Sequence, residues 1–149
     1  MENEYQLTII IPHHNIPDLL RKLLASIPKR NSIQIIVVDD HSTEYVDQLN
    51  AVIQSADDRN LEFYHNDAAR NSPGTCRNIG LDHARGQWIL FADADDYFMR
   101  SFILSQPVSA LTPGRKEIGT RITEMRFVPI ATIRQASTRC GCATVFLRP

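Results

Sequence analysis

Gln34-Ile35-Ile36-Val37-Val38-Asp39-Asp40 is the stretch that decides the fold. Four consecutive β-branched apolar residues leave no polar face, so the segment reads as a strand covered on both sides, as in a parallel sheet. It runs straight into two carboxylates. Upstream, Leu7-Thr8-Ile9-Ile10-Ile11 has the same character and is ended by Pro12, with His13-His14-Asn15-Ile16 as the following loop. Downstream, Leu61-Glu62-Phe63-Tyr64-His65 reads as a third strand. Gln87-Trp88-Ile89-Leu90-Phe91-Ala92 reads as a fourth, again ending in acids, Asp93-Ala94-Asp95-Asp96.

Helical patterns fill the gaps. Pro17 and Asp18 open one carrying Leu19, Leu20, Leu23, Leu24 and Ile27, which Pro28 stops. Ser42 or Thr43 is positioned to cap a second, with Val46, Leu49 and Ile53 on one face. Thr75 to Ala84 reads as a third, with Gly86 as its C-terminal cap. Strands starting near residues 7, 34, 61 and 87 are 27, 27 and 26 apart, the period of a strand–helix unit. The expected fold is α/β: a mostly parallel, right-handed sheet with helices on both faces. In such sheets ligands bind beyond the carboxyl ends of the strands. The histidine loop and both acidic clusters fall there.

Composition narrows the class. The 149 residues are 43% hydrophobic and 22% charged, which suits one domain and excludes a disordered chain. No apolar run approaches the roughly 20 residues needed to span a bilayer, and the acidic N-terminus is the reverse of a signal peptide. Three cysteines, Cys76, Cys140 and Cys142, are an odd number without zinc-type spacing and suit a reducing compartment. Charge is asymmetric: residues 1–100 hold 9 Lys+Arg and 15 Asp+Glu, residues 101–149 hold 7 and 2. The last third also lacks Asp, Trp and Tyr. These shifts mark a boundary near Phe98–Leu104, giving an expected domain over 1–100 and an atypical tail over 101–149.

Carboxylates bunched at a strand end repel one another by roughly 1–4 kcal/mol per pair at contact distance, which a cation offsets. Asp93 and Asp95, alternating past a strand, can direct oxygens at one hard divalent ion, Mg²⁺ or Mn²⁺, whose open positions suit phosphate oxygens. The bland alternative is a solvated loop or a helix cap. A carboxylate at Asp39 can accept from a base N–H or a ribose hydroxyl, or cap the following helix. Arg77, early in a helix, suits a diphosphate or a base edge, or is a surface charge. His13 and His14 are adjacent and diverge in an extended loop, so joint zinc ligation is not expected. No Walker-type loop, Gly-x-Ser-x-Gly or aromatic-interleaved basic stripe is present, and no nucleic-acid partner is expected.

Taken together, Thr8–Asn15, Ile36–Ser42, Gly74–Leu81 and Gly86–Tyr97 resemble the donor-binding part of family 2 glycosyltransferases, in that order and spacing. The resemblance implies a GT-A (Rossmann-like) fold, incomplete at the C-terminus, and transfer of a sugar from a nucleotide-diphosphate sugar, a UDP-sugar first among them. It implies that Pro12 and His14 line the base pocket and that Asp39 accepts from the base. Arg77 would hold the base or diphosphate, Asp93 would contact ribose or metal, and Asp95 would hold the metal. His14 stands where the family often has Tyr. The acceptor (glycan, lipid or protein) and any catalytic base stay unassigned; Glu117 and Glu124 are the tail's two carboxylates. A role in polysaccharide biosynthesis, in the cytoplasm or at the inner membrane face, follows from the same resemblance.

The tail matches no family motif, so the expectation is a truncated or frame-shifted glycosyltransferase that keeps the donor half. Two other readings stand beside it. One is an inactive nucleotide-sugar-binding remnant. The other is a receiver-like signalling domain, suggested by Ile36-Val37-Val38-Asp39-Asp40, although a strand and a helix precede that segment.

Overall fold

The computed structural model describes residues 4–56 and 60–98, together with the backbone of 114–116 and 125–129. The elements are β1 (Tyr5–His13), α1 (Pro17–Ser26), β2 (Ile33–Asp39), α2 (Val46–Ser55), β3 (Leu61–His65), α3 (Pro73–His83), β4 (Gly86–Phe91), β5 (Gly114–Lys116) and β6 (Met125–Pro129). The sheet order is β3-β2-β1-β4-β6-β5. The first four strands are parallel, as expected; β6 is antiparallel to β4 and β5 to β6. Beyond the compositional break near residue 100, β6 pairs with β4 and continues the same sheet. Cys140, Cys142, Glu117 and Glu124 lie outside the described residues.

Connection handedness decides which helix covers which face. The chain steps from β1 through β2 to β3 in one direction, then returns past β1 to β4. Right-handed crossovers put the helices of the two directions on opposite faces. Leu20, Leu23 and Leu24 of α1 and Leu49 and Val52 of α2 pack with Ile9, Ile11, Ile35 and Val37. Cys76 of α3 packs with Ile10, Ile36 and Val38. Alternation along β1 and β2 supplies both sets, which is why these strands lack a polar face. At Gly80, α3 lies so close to β1 that a Cβ would fall on Ile10 Cγ2.

Four local expectations are corrected. Neither Ser42 nor Thr43 caps α2: its N-cap is Tyr45, in left-handed conformation and without a side-chain cap bond. Val46 is exposed, and the buried face runs through Leu49 and Val52 with Ile53 partly covered. The third helix starts at Pro73, capped by Ser72, whose side chain accepts from the Thr75 amide at 3.1 Å. Gly86 does not cap it. It begins β4, pressed so closely on β1 that a Cβ would lie 2.6 Å from the Thr8 amide nitrogen.

Candidate functional site

The order β3-β2-β1-β4 places the topological switch between β1 and β4, and a ligand crevice belongs beyond their carboxyl ends. Pro12, His13, His14, Asp39, Asp40 and the loop from Asp93 all lie along this edge, with Arg77 of α3 reaching it from the second face. A cavity lined by Pro28, Arg30, Asn31, Ile33 and Asn60 lies at the opposite edge, away from these carboxylates.

Strand alternation separates the two adjacent aspartates. In register, His13 lies opposite Asp39 and Asp39 opposite His65, so these three share one face. His13 Nδ1 is 2.9 Å from Asp39 Oδ1, and Ser42 Oγ donates to the same oxygen at 2.5 Å. The Ser42 amide donates to Oδ2 at 3.0 Å. His65 Nδ1 stands 3.8 Å from Oδ2, too far for a hydrogen bond. Asp40 turns the other way, under α3. Its Oδ1 accepts from Asn66 Nδ2 at 2.7 Å, and the buried Cys76 thiol donates to it. Burial, the Asp40 charge and that bond push the Cys76 thiol up to about 12, so it is a packed, unreactive group.

Burial alone would raise the Asp39 pKa. Hydrogen bonds from His13 and from the Ser42 side chain and backbone outweigh it, and the carboxyl is held at about 2. Because the folded value lies below the unfolded one, the gain is complete above the ordinary carboxylate range. It fades as pH falls toward about 2. The contribution is about 2 kcal/mol. In urea titrations the stability gap between wild type and Asp39→Asn is expected to narrow as the pH is lowered from about 6 to about 3. A gap constant across that window would contradict this account.

The two histidines diverge as expected. His13 is buried, whereas His14 is exposed and its Nδ1 donates to the Asp40 carbonyl at 2.8 Å. Asn15, with φ 54°, joins the β1 and β2 loops: its amide donates to Ser42 Oγ, and its Oδ1 accepts from the Thr43 and Glu44 amides. Pro12 is buried opposite Val38.

On the β4 side, Ala92, Ala94 and Phe98 are buried in the core while Asp93 and Asp95 are exposed. The small alanines tie the loop down and the alternation turns both acids outward. Asp93 Oδ1 accepts from Arg77 Nη2 at 2.6 Å. The Asp93 amide donates to Asp96 Oδ2 at 2.8 Å, so Asp96 is engaged within the loop. Asp95 has no hydrogen-bond partner among the described residues. Arg77 Nε is buried and has no partner among the described residues.

These residues fit a divalent ion in one respect. Among the described residues no three His, Cys, Asp or Glu side chains are grouped to hold a metal by themselves. Exposed Asp93, paired with Arg77, and exposed Asp95 two residues on match the pattern in which a small hard cation takes one or two protein carboxylates and fills its shell from substrate phosphates.

The residues missed from sequence are Ser42, Asn15 and Asn66 as structural bonds, and His13 as the partner of Asp39. The register between β1 and β2 carries that pairing, and a strand boundary two residues further along would have exposed it.

Sheet order, switch point and acidic edge define the class: an α/β protein of GT-A type, in which a ligand's usual place is the β1/β4 edge. The chain belongs to glycosyl transferase family 2, whose family model matches residues 8–118. That assignment replaces the receiver-like reading. The chain is 32% identical over 94 residues to the poly(ribitol-phosphate) β-N-acetylglucosaminyltransferase TarS of Staphylococcus aureus, covering 60% of this chain and 16% of that protein. It is 33% identical over 93 residues to the GalNAc(5)-diNAcBac-PP-undecaprenol β-1,3-glucosyltransferase of Campylobacter jejuni, covering 61% and 30%. It therefore spans less than a third of the length of these relatives. Among solved structures, TarS 1–349 in complex with UDP-GlcNAc superposes with a TM-score of 0.58 at 30% identity, over 67% of this chain and 29% of that one. The mannosyltransferase PcManGT of Pyrobaculum calidifontis, solved with GDP-Man and Mn²⁺, gives a TM-score of 0.58 at 24% identity over 68% and 32%, a likeness of fold. Among the described residues no helix is long and apolar enough to cross a membrane.

Proposed function

We propose that this chain is the donor-binding part of a glycosyltransferase that takes a UDP-sugar with Mg²⁺ or Mn²⁺, in the cytoplasm. The observation that carries the reading is the β4 edge. Arg77 pairs through Nη2 with exposed Asp93 and has a buried Nε with no partner among the described residues, and Asp95, two residues on and likewise without a partner among them, is exposed. An anion beside a guanidinium and a cation beside two carboxylates satisfy both together, and a metal-bound diphosphate is that combination. The relative TarS, solved with UDP and with UDP-GlcNAc, supports uridine as the nucleoside.

In this reading residues 1–100 form the donor-binding part. Pro12 and His14 line the base side. Asp39 has two donors on Oδ1 but one on Oδ2, so Oδ2 keeps an acceptor site for a base N–H. Arg77 holds the diphosphate, Asp93 the ribose or the metal, and Asp95 the metal. When bound, the ion supplies positive charge against the charge developing on the leaving diphosphate. Arg77 would add a charged donor to the diphosphate.

Calorimetry tests this directly. UDP is expected to bind in the presence of Mn²⁺ at least tenfold more tightly than in its absence. Release of UDP from a UDP-sugar would separate a working enzyme from a binding remnant. Binding that is the same with and without the ion, or no binding at all, would reject the reading.

A further inference from the structure

The proposed base contact depends on a carboxylate that is almost fully covered, its side chain only 5% exposed. One face of it is occupied by His13, whose side chain has no solvent exposure. The Ile16 amide donates to His13 Nε2 at 3.3 Å, so that nitrogen is the acceptor and Nδ1 carries the proton. The ring therefore has one arrangement open to it, with Nδ1–H donating to Asp39 Oδ1. Ser42 Oγ, itself fixed by the Asn15 amide, donates to the same oxygen. These two donors fill Oδ1 and fix the carboxylate plane, so that the remaining acceptor site lies on Oδ2, on the side of exposed His65.

We infer that His13 is a positioning residue of the nucleotide site, orienting Asp39 so that Oδ2 is presented to the base. The role rests on the proposed function, because it requires that Asp39 read a base. His13 does not touch the nucleotide. It acts by keeping one oxygen occupied and the other open, and it does so from the strand position directly in register.

The test compares two ligands that share the diphosphate and differ in the base: UDP and inorganic pyrophosphate, each titrated with Mn²⁺ in excess. His13→Ala is expected to weaken UDP by about tenfold, the equivalent of one charge-assisted hydrogen bond, and to leave pyrophosphate unchanged. His13→Asn is expected to restore UDP affinity to within about threefold, because its Nδ2–H occupies the place of the ring Nδ1–H. Nitrogen-detected NMR of the wild type is expected to show the Nδ1–H tautomer at His13. Equal losses for UDP and pyrophosphate would reduce His13 to a structural residue and overturn the inference. So would an Asn variant no better than Ala, or an Nε2–H tautomer. A wild-type chain that binds pyrophosphate but gains nothing from the uridine would overturn it by removing base reading at Asp39, while leaving the metal-diphosphate part of the proposed function standing.

Discussion

Replacing Gln34 by leucine is expected to lower the unfolding free energy by about 3–5 kcal/mol, the largest loss from any single exchange considered for this chain. Gln34 is fully buried in β2, on the face covered by α3. All four of its hydrogen-bonding positions are used. Its Oε1 accepts from Thr8 Oγ1 at 2.7 Å and from the Arg85 amide at 2.9 Å. Its Nε2 donates to Glu62 Oε1 at 2.9 Å and to the His83 carbonyl at 3.2 Å. Leucine fills a similar volume but strands the Thr8 hydroxyl, the Arg85 amide and the His83 carbonyl. A buried group left unmatched costs about 1–3 kcal/mol.

The loss also concerns the site. Gln34 ties the end of α3 and the start of β4 to the sheet, and Arg77 is carried on α3. Around Gln34 the polar network continues. Burial would raise Glu62, yet bonds from Tyr64 and Gln34 and the Arg85 charge hold its carboxyl below the usual range. The Tyr64 ring stacks on His83 with centroids 3.9 Å apart. Urea denaturation checks the prediction, with Gln34→Glu as a second variant that keeps the Oε1 acceptor. A loss under about 1 kcal/mol for Gln34→Leu would mean that the network is dispensable.

Asp95→Ala is expected to remove the Mn²⁺-dependent part of UDP binding, a loss on the order of a hundredfold, while changing stability by less than about 0.5 kcal/mol. The split follows from its surroundings. Asp95 is exposed and makes no hydrogen bond to the described residues, so folding does not use its carboxylate. Its neighbours behave differently. Asp93 is paired with Arg77, and Asp96 accepts from the Asp93 amide. Asp96→Ala should therefore disturb the loop itself and lower stability. Calorimetric titration of UDP with and without Mn²⁺, beside thermal melts of both variants, reads the two effects separately. Unchanged Mn²⁺-dependent affinity in Asp95→Ala would remove the metal assignment. It would leave Arg77 as the sole charged contact proposed for the diphosphate.

Much of the framework was legible from local pattern. The apolar runs at Leu7–Ile11 and Ile35–Val38 are β-branched on both faces, and a strand covered on both faces has few places other than a parallel sheet. The spacing of strand–helix units then gave the order of elements, whereas several ends differ: β1 runs through Pro12 to His13, where Pro12 lies in register with Val38. Where the reading slipped, a tertiary contact outweighed local preference. Gly86 has the chemistry of a helix cap, but the close approach of Thr8 claims it for β4. Ser42 is a good capping residue, but the Asp39 carboxylate and the Asn15 amide use its hydroxyl first. Asp93 and Asp95 both face outward because they alternate with buried Ala92 and Ala94, and that alternation is itself a feature of the sequence.

By itself the sequence determined the alternation of strands and helices, the acidic ends of β2 and β4, and the family motifs, since each depends on residues adjacent along the chain. Only the tertiary structure decided that neighbouring Asp39 and Asp40 serve opposite faces, that His13 is enclosed while His14 is not, and that Arg77 meets Asp93. Those outcomes depend on register between strands and on which side a crossover helix passes. Both are settled by packing of segments 16 to 51 residues apart, through free energies that no local stretch contains.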